Sequence, residues 1–355
     1  MTIKLLLEFA VVMAAIFLGS RSGGVGLGLW GGVGVLVLSY VFGLPPPSPP
    51  VDVMLIILAV IMAASVMEAA GGINFLVRLA EGIIRRNPRQ ITVVAPVVSY
   101  LFTFGAGTGH VFYPLLPIIY EVAHENGIRP ERPIAVSTIA SQQAITASPV
   151  SAAMAAMIAL YEPFGFGLTH IMLICLPATL IGVVVAALVQ TRVGKELKDD
   201  PEYNRRLKAG EVEPPKGRKG ETAGNEELPR TARTSALMFL FGVALVVAAG
   251  LFPVLRPEVP KGNAMAPLDM ATAIQIVMLS VAALTLLVTR VPAAGIPKTN
   301  VSQAGITAVI GIFGLAWLGD TFIKGNEKVI ICAIGDITTN YPVTFAVGLF
   351  FASVL

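Results

Sequence analysis

Charge is scarce in this sequence. Of 355 residues only 13% are charged, against 55% hydrophobic, and the mean hydropathy is +0.78. An ordinary soluble domain carries about 25% charged residues, so this chain cannot cover itself with polar surface. Cysteine is nearly absent. Cys175 and Cys332 each lie within or beside an apolar stretch, with no CxxC and no Cys/His cluster of metal-ligand spacing, and both read as packing residues. His124-Glu125-Asn126-Gly127-Ile128 begins like the zinc motif HExxH but lacks the second histidine. No GxSxG elbow and no GxxxxGKS/T phosphate loop occurs, which argues against a hydrolase and a nucleotide-driven pump. GLGLWG at Gly26 to Gly31 matches GxGxxG only formally, because it sits inside an apolar span with no acidic residue about 20 positions on. No enzyme, metal or cofactor is therefore expected. The net charge of +3 comes from Lys and Arg scattered between apolar stretches instead of along one face, which excludes nucleic acid as a partner.

What is present is a series of apolar stretches. A helix crossing a hydrocarbon core of about 30 Å needs about 20 apolar residues, and 4–19, 25–43, 53–70, 168–190, 236–252, 271–289 and 304–322 read as spans. The first has a thin basic flank and further spans follow at once, so it reads as an uncleaved helix and not as a leader. Gly24, Gly28 and Gly32 make a small-residue stripe for close helix packing. Ile73, Leu76, Val77, Ala80, Ile83 and Ile84 give one apolar face to a helix over 73–87, the pattern of an interfacial helix and equally of a connector. Glu8 and Glu68, near span ends, read as interfacial. Arg21, Arg78, Arg85, Arg86, Arg89, Arg129 and Arg132 fall in connections on one side, together with 191–235, which reads as a solvated, flexible loop. The connections 44–52 and 161–168 hold no Lys or Arg. The cytoplasmic bias of basic residues then places the amino terminus outside, in the periplasm.

Between 91 and 162 the apolar pieces are shorter, interrupted by FGAGTGH at 104–110 and TASPVS at 146–151. These read as broken elements: a re-entrant hairpin over 91–123 and a broken helix over 132–162. The order of three spans, an amphipathic connector and a new apolar segment recurs from 236 through 327–339 and 343 onward. The expected fold is thus an all-α polytopic membrane protein with inverted repeats. Its parts are a first repeat over 1–190, a cytoplasmic loop over 191–235 and a second repeat over 236–355, incomplete at its end.

The two breaks are the candidate site. Three glycines in Gly105-Ala106-Gly107-Thr108-Gly109-His110 break a helix at membrane depth, where free backbone survives only if buried in protein or lining a watery cavity. Backbone N–H groups there, with the Thr108 hydroxyl and a helix N-terminus, could hold a carboxylate. His110 reads as a proton carrier, a ligand donor or a structural residue. In the second break Ser137, Ser141 and Ser148 share a helical face, Gln142 meets Thr146 at i,i+4, and Pro149 stops the helix before Ser151. Ser and Thr also mediate ordinary membrane packing, so the cluster says more than its members. Asp320, near a span end beside Trp317, is either a functional carboxylate or an interfacial one.

With AGTGH, RPERP at 129–133, QQAITASPVSAA at 142–153 and AWLGDTF at 316–322, the sequence resembles the anaerobic C4-dicarboxylate transporter (Dcu) family. PPVDVM at 49–54, GGINFLVRLAEGIIRRNP at 71–88 and LPIIYEVA at 116–123 extend that likeness along the chain. The resemblance implies electroneutral exchange of fumarate, malate or aspartate for succinate across the bacterial inner membrane during anaerobic respiration. The two breaks make Thr108, Gly109, His110, Gln142, Thr146, Ser148 and Ser151 the expected substrate-binding residues, with Asp320 a coupling or structural carboxylate. Partners would be dicarboxylates and the lipid bilayer, with a second copy of the chain or a sensor kinase as open candidates. The different-class alternative is a membrane sensor or structural subunit that binds the anion without moving it. Family members continue several dozen residues past the point matching Leu355, so a chain ending there is expected to lack the second hairpin and broken helix and to stall before completing a cycle.

Overall fold

The structure, a computed structural model, describes residues 3–194, 196–211, 229–261, 264–327 and 329. In chain order its helices are α1 (Ile3–Ser22), α2 (Gly26–Tyr40), α3 (Val51–Ala69), α4 (Gly72–Arg86), α5 (Ile91–Ala106), α6 (Leu115–Glu125) and α7 (Glu131–Ala147). There follow α8 (Ala152–Tyr161), α9 (Leu168–Gln190), α10 (Pro201–Lys208), α11 (Arg230–Leu251), α12 (Met270–Thr289) and α13 (Asn300–Gly325). Among the described residues seven helical stretches are long and apolar enough to cross a membrane, α7 and α8 counting as one. The chain is an all-α polytopic membrane protein, with one small exception. Strands β1 (Glu258–Lys261) and β2 (Ala264–Pro267) pair antiparallel between α11 and α12, a feature with no counterpart in the span pattern.

Two compact units emerge, the first from the described parts of Met1–Met54 and Ile306–Leu355, the second from Leu55–Gly305. In the first unit glycine decides the packing. A methyl added to Gly28 would run into the Ile310 carbonyl, and one added to Gly314 into the Gly28 carbonyl, so α2 and α13 touch backbone to backbone. The contact continues through Gly31, against Gly314, and Gly34, where a methyl would lie 2.8 Å from Leu318. This corrects the expected stripe. Contact follows the i,i+3 row 28, 31, 34; Gly32 faces open space, and Gly24 lies in the turn before α2 with φ +50°. Beside it, Val12, Ala15, Val35, Leu38 and Leu318 form an apolar core. Glu8 is fully buried: it accepts from Asn326 Nδ2 at 2.7 Å and has the Lys4 ammonium 3.7 Å away. Trp317 donates its indole N–H to the Pro47 carbonyl at 2.6 Å.

In the second unit the apolar face of α4 is covered by protein. Ala80 and Ile84 join Ile91, Ala95 and Val98 of α5 and Leu115, Ile119 and Val122 of α6 in one core, while Ile83 on the expected face points outward. Glu68 ends α3 by capping α13: its carboxylate accepts from the N–H groups of Asn300 at 3.2 Å and Val301 at 2.8 Å, where the helix dipole favours negative charge. The described residues at the start of the segment 191–235 include one short helix. Asp200 caps α10 by accepting from Glu202 and Tyr203 N–H, and α11 already begins at Arg230. Arg132, 5% exposed, donates to the carbonyls of Val193 and Gly194 and to Glu196, each at 2.6 Å, and Arg129 holds Asp200 at 3.0 Å. Two arginines that read as topological charges thus dock the start of the loop. Residues 212–228, Cys332, the run from 343 to Leu355 and, apart from 327 and 329, the expected connector at 327–339 lie outside the described residues.

Backbone contact at Gly314 predicts a sharp positional contrast. Gly314→Ala should destabilise the purified protein by at least the ~1–3 kcal/mol typical of overpacking, whereas Gly32→Ala should leave the melting temperature unchanged. Equal melting temperatures for the two variants would show that α2 and α13 do not meet there.

Candidate functional site

The first break is built by one glycine. α5 ends at Ala106 because Gly107 takes φ +69°, the left-handed conformation that closes helices, and returns its N–H to the Thr103 carbonyl at 2.8 Å. A methyl on Gly107 would also lie 2.7 Å from the Val150 carbonyl oxygen. Gly105 has neither constraint, its nearest neighbour being the Leu240 side chain at 3.4 Å. Thr108 is extended and its hydroxyl accepts from the His110 N–H at 3.4 Å, capping a single 3-10 turn over Gly109–Val111. The His110 ring packs edge-on against Tyr113, with centroids 5.9 Å apart. α6 follows, and its Leu115, Ile119, Val122 and Ala123 share one core with Ile91, Ala95 and Val98 of α5 and with Phe112. α5 and α6 are thus the two arms of the hairpin expected over 91–123.

The second break follows from Pro149. The residue before a proline is pushed to extended backbone, and Ser148, at φ −70° and ψ 128°, ends α7. Its hydroxyl donates to the Phe104 carbonyl of the hairpin at 2.7 Å. Ser151 caps α8, accepting from the Met154 N–H at 3.0 Å and donating to the Ser148 carbonyl at 3.1 Å. Thr103 and Ser141 join hydroxyl to hydroxyl at 2.9 Å. Contacts 103 to 141, 104 to 148 and 107 to 150 ascend together, so α5 and α7 run parallel and their breaks lie side by side.

Most of the expected site residues therefore meet. A methyl on Gly109 would lie 3.9 Å from the Gln142 amide nitrogen and 3.7 Å from the Ser141 hydroxyl. Thr108, Gly109 and His110 are half-buried, while Gln142 and Thr146 lie one turn apart on α7, both exposed. Ser148 and Ser151 are buried, with hydroxyls committed to structural bonds. The groups free to meet a small anion thus include the Gln142 amide, the Thr146 hydroxyl and the backbone of the tip, all neutral donors, with the His110 ring beside them. Asp320 belongs to the first unit, half-buried near the end of α13. Thr103 escapes a reading of the sequence, its only signal being one hydroxyl among several in a largely apolar helix. A separate cavity of about 590 Å³ lies among α6, α7 and α10, lined by Tyr120, His124, Arg129, Glu131, Asp200 and Tyr203 among others. Its Arg129 pairs with Glu131 and Asp200.

Comparison with known proteins decides the family. The family described as "Anaerobic c4-dicarboxylate membrane transporter" matches residues 4–355. The chain belongs to it. The chain is 42% identical over 353 residues to "C4-dicarboxylate transporter DcuA" of Escherichia coli K12, covering 99% of this chain and 79% of that one. It is 40% identical over 357 residues to DcuA of Wolinella succinogenes, with 99% and 79% covered. "Anaerobic C4-dicarboxylate transporter DcuB" of Escherichia coli O6:H1 is 36% identical over 357 residues, with 98% and 78% covered. No solved structure matches. Membership in this transporter family places the chain outside the enzymes.

The two glycines of the tip should respond differently to substitution in this Dcu-family chain. Gly107→Ala forces a side chain into left-handed backbone, at about 1–2 kcal/mol, and against the Val150 carbonyl, so the purified protein should melt well below the parent. Gly105→Ala should be neutral. A Gly107→Ala protein as stable as the parent would contradict this geometry.

Proposed function

We propose that the chain is a secondary transporter of C4-dicarboxylates in the bacterial inner membrane, exchanging external fumarate, malate or aspartate for internal succinate during anaerobic growth. One observation carries the reading beyond family membership: the hairpin tip and the helix break, each an interruption of an apolar helix, lie side by side with neutral donors next to them. Non-helical backbone is tolerated at membrane depth only in such settings, and broken helices are where secondary carriers hold their substrates. In this reading Thr108, Gly109 and His110 with Gln142 and Thr146 receive one substrate carboxylate, and Ser148 and Ser151 shape the break behind them. Asp320 serves as a coupling or structural carboxylate. The amino terminus is periplasmic, α4 and the 191–229 connection are cytoplasmic, and α5 with α6 enters and leaves the membrane on the cytoplasmic side. α1 to α4 with the hairpin, and the segments from α11 onward, are inverted repeats.

Exchange in proteoliposomes made from the full-length homologue tests transport against mere anion binding. External fumarate should drive release of internal labelled succinate; binding without release would favour a sensor. Hydrogen bonds to charged groups contribute about 1.5–3 kcal/mol, so Gln142→Ala and Thr146→Val should each weaken succinate binding roughly tenfold to a hundredfold. Unchanged affinity in both would remove these residues from the site.

The re-entrant path has its own test. Single cysteines introduced beside Arg89 and Arg129 should react with an impermeant maleimide from the same side of the membrane. Labelling from opposite sides would mean that 91–125 crosses.

A further inference from the structure

We propose that Thr103, Ser141 and Ser148 are positioning residues that clamp the hairpin onto the α7–α8 break, so that the two broken elements move as one body and substrate is not admitted by parting them. The inference rests on the transport reading above and names which contact does not open. Thr103, Ser141 and Ser148 are each 0% exposed. A threonine inside a helix commonly turns its hydroxyl back to the carbonyl four residues earlier, as Thr138, Thr179, Thr289 and Thr321 do here. Thr103 does not. Its hydroxyl reaches across to Ser141 at 2.9 Å, and Ser148 reaches back to the Phe104 carbonyl at 2.7 Å.

Parting α5 from α7 would leave these hydroxyls and that carbonyl unpaired where no water reaches them, and each buried group without a partner is penalised in full. It would also open the close approach of Gly107 to the Val150 carbonyl. By contrast, α4, α5 and α6 share an apolar core, and the polar bond that joins α4 to α6, Arg85 to Glu121 at 2.7 Å, lies at the exposed surface. The polar clamp lies directly beneath the site: the Ser141 hydroxyl that bonds Thr103 also lies 3.7 Å from the position of a Gly109 methyl. The clamp thereby sets where the tip backbone stands relative to Gln142.

Two sets of variants test this in proteoliposomes. Thr103→Val keeps the shape and removes the cross-helix bond, so succinate KM should rise about threefold to tenfold with kcat changed less than about twofold, and Thr103→Ser should restore it. An unchanged KM, or a fall in kcat alone, overturns the positioning role. On a background of Cys175→Ser and Cys332→Ser, the double variant Thr103→Cys, Ser141→Cys should cross-link on oxidation, and the oxidised protein should exchange succinate within about twofold of the reduced one. Exchange that stops on oxidation and returns with reductant would show that the contact must open, and failure to cross-link would show that it does not exist. The thiol of the single Thr103→Cys variant should stay unreactive to a permeant maleimide with and without succinate; labelling in either condition overturns the clamp. This last readout needs no transport, so a parent protein that exchanges no dicarboxylate refutes the functional reading separately.

Discussion

Every polar backbone group that a broken helix releases inside a membrane must find a partner within the protein, because lipid offers none. The second unit meets this requirement by placing its two breaks together. A continuing α5 would have delivered the Thr108 N–H to the Phe104 carbonyl; the helix stops, and the Ser148 hydroxyl takes that place. Pro149 has no N–H to offer, and Ser151 caps the new helix that starts beyond it. Neither break is complete alone. The parallel course of α5 and α7, enforced by the return of the chain through α6, is what allows one to complete the other.

The same constraint governs the few charges. Arg132 is buried yet fully engaged, with two backbone carbonyls and Glu196 around its guanidinium. Glu68 directs its carboxylate to the first N–H groups of α13, and Glu8 meets Asn326 and Lys4. An ion removed from water without a partner would neutralise or destabilise the fold, and these pairings sit at the ends of helices, where the chain turns. Among the described residues these charges fasten connections, and the two breaks themselves are held by hydroxyls and backbone groups.

How much is legible in the sequence follows from which forces are local. Both breaks are visible because Gly107 and Pro149 act on their own backbone, whatever surrounds them. The join between them is invisible, since Thr103 and Ser141 are 38 residues apart and only the parallel packing brings them together. The glycine stripe reads at the wrong spacing for a related reason: a run of small residues permits close approach on several faces, and the partner α13 takes the row 28, 31, 34. At 201–208 composition hides a local signal. Asp200-Pro201 is a helix start in miniature, an acceptor at the cap followed by proline in the first turn. The helix it starts buries none of its residues.

The neutrality of the available donors has a consequence for an anion carrier of the proposed kind. A buried guanidinium would bind a carboxylate strongly, but an empty site would then hold an uncompensated charge, at several kcal/mol. Amide, hydroxyl and backbone N–H groups lose much less when the anion leaves, because each can turn to water or to a neighbour as Thr108 does with His110. Binding is weaker and release easier on both sides of the cycle. For a dianion held only by dipoles, a second dianion on the return leg restores the same charge to the same surroundings, so exchange demands no new counter-charge from the protein. A rigid junction of hairpin and broken helix suits such a carrier, because it keeps weak donors convergent and lets geometry supply the selectivity that charge does not.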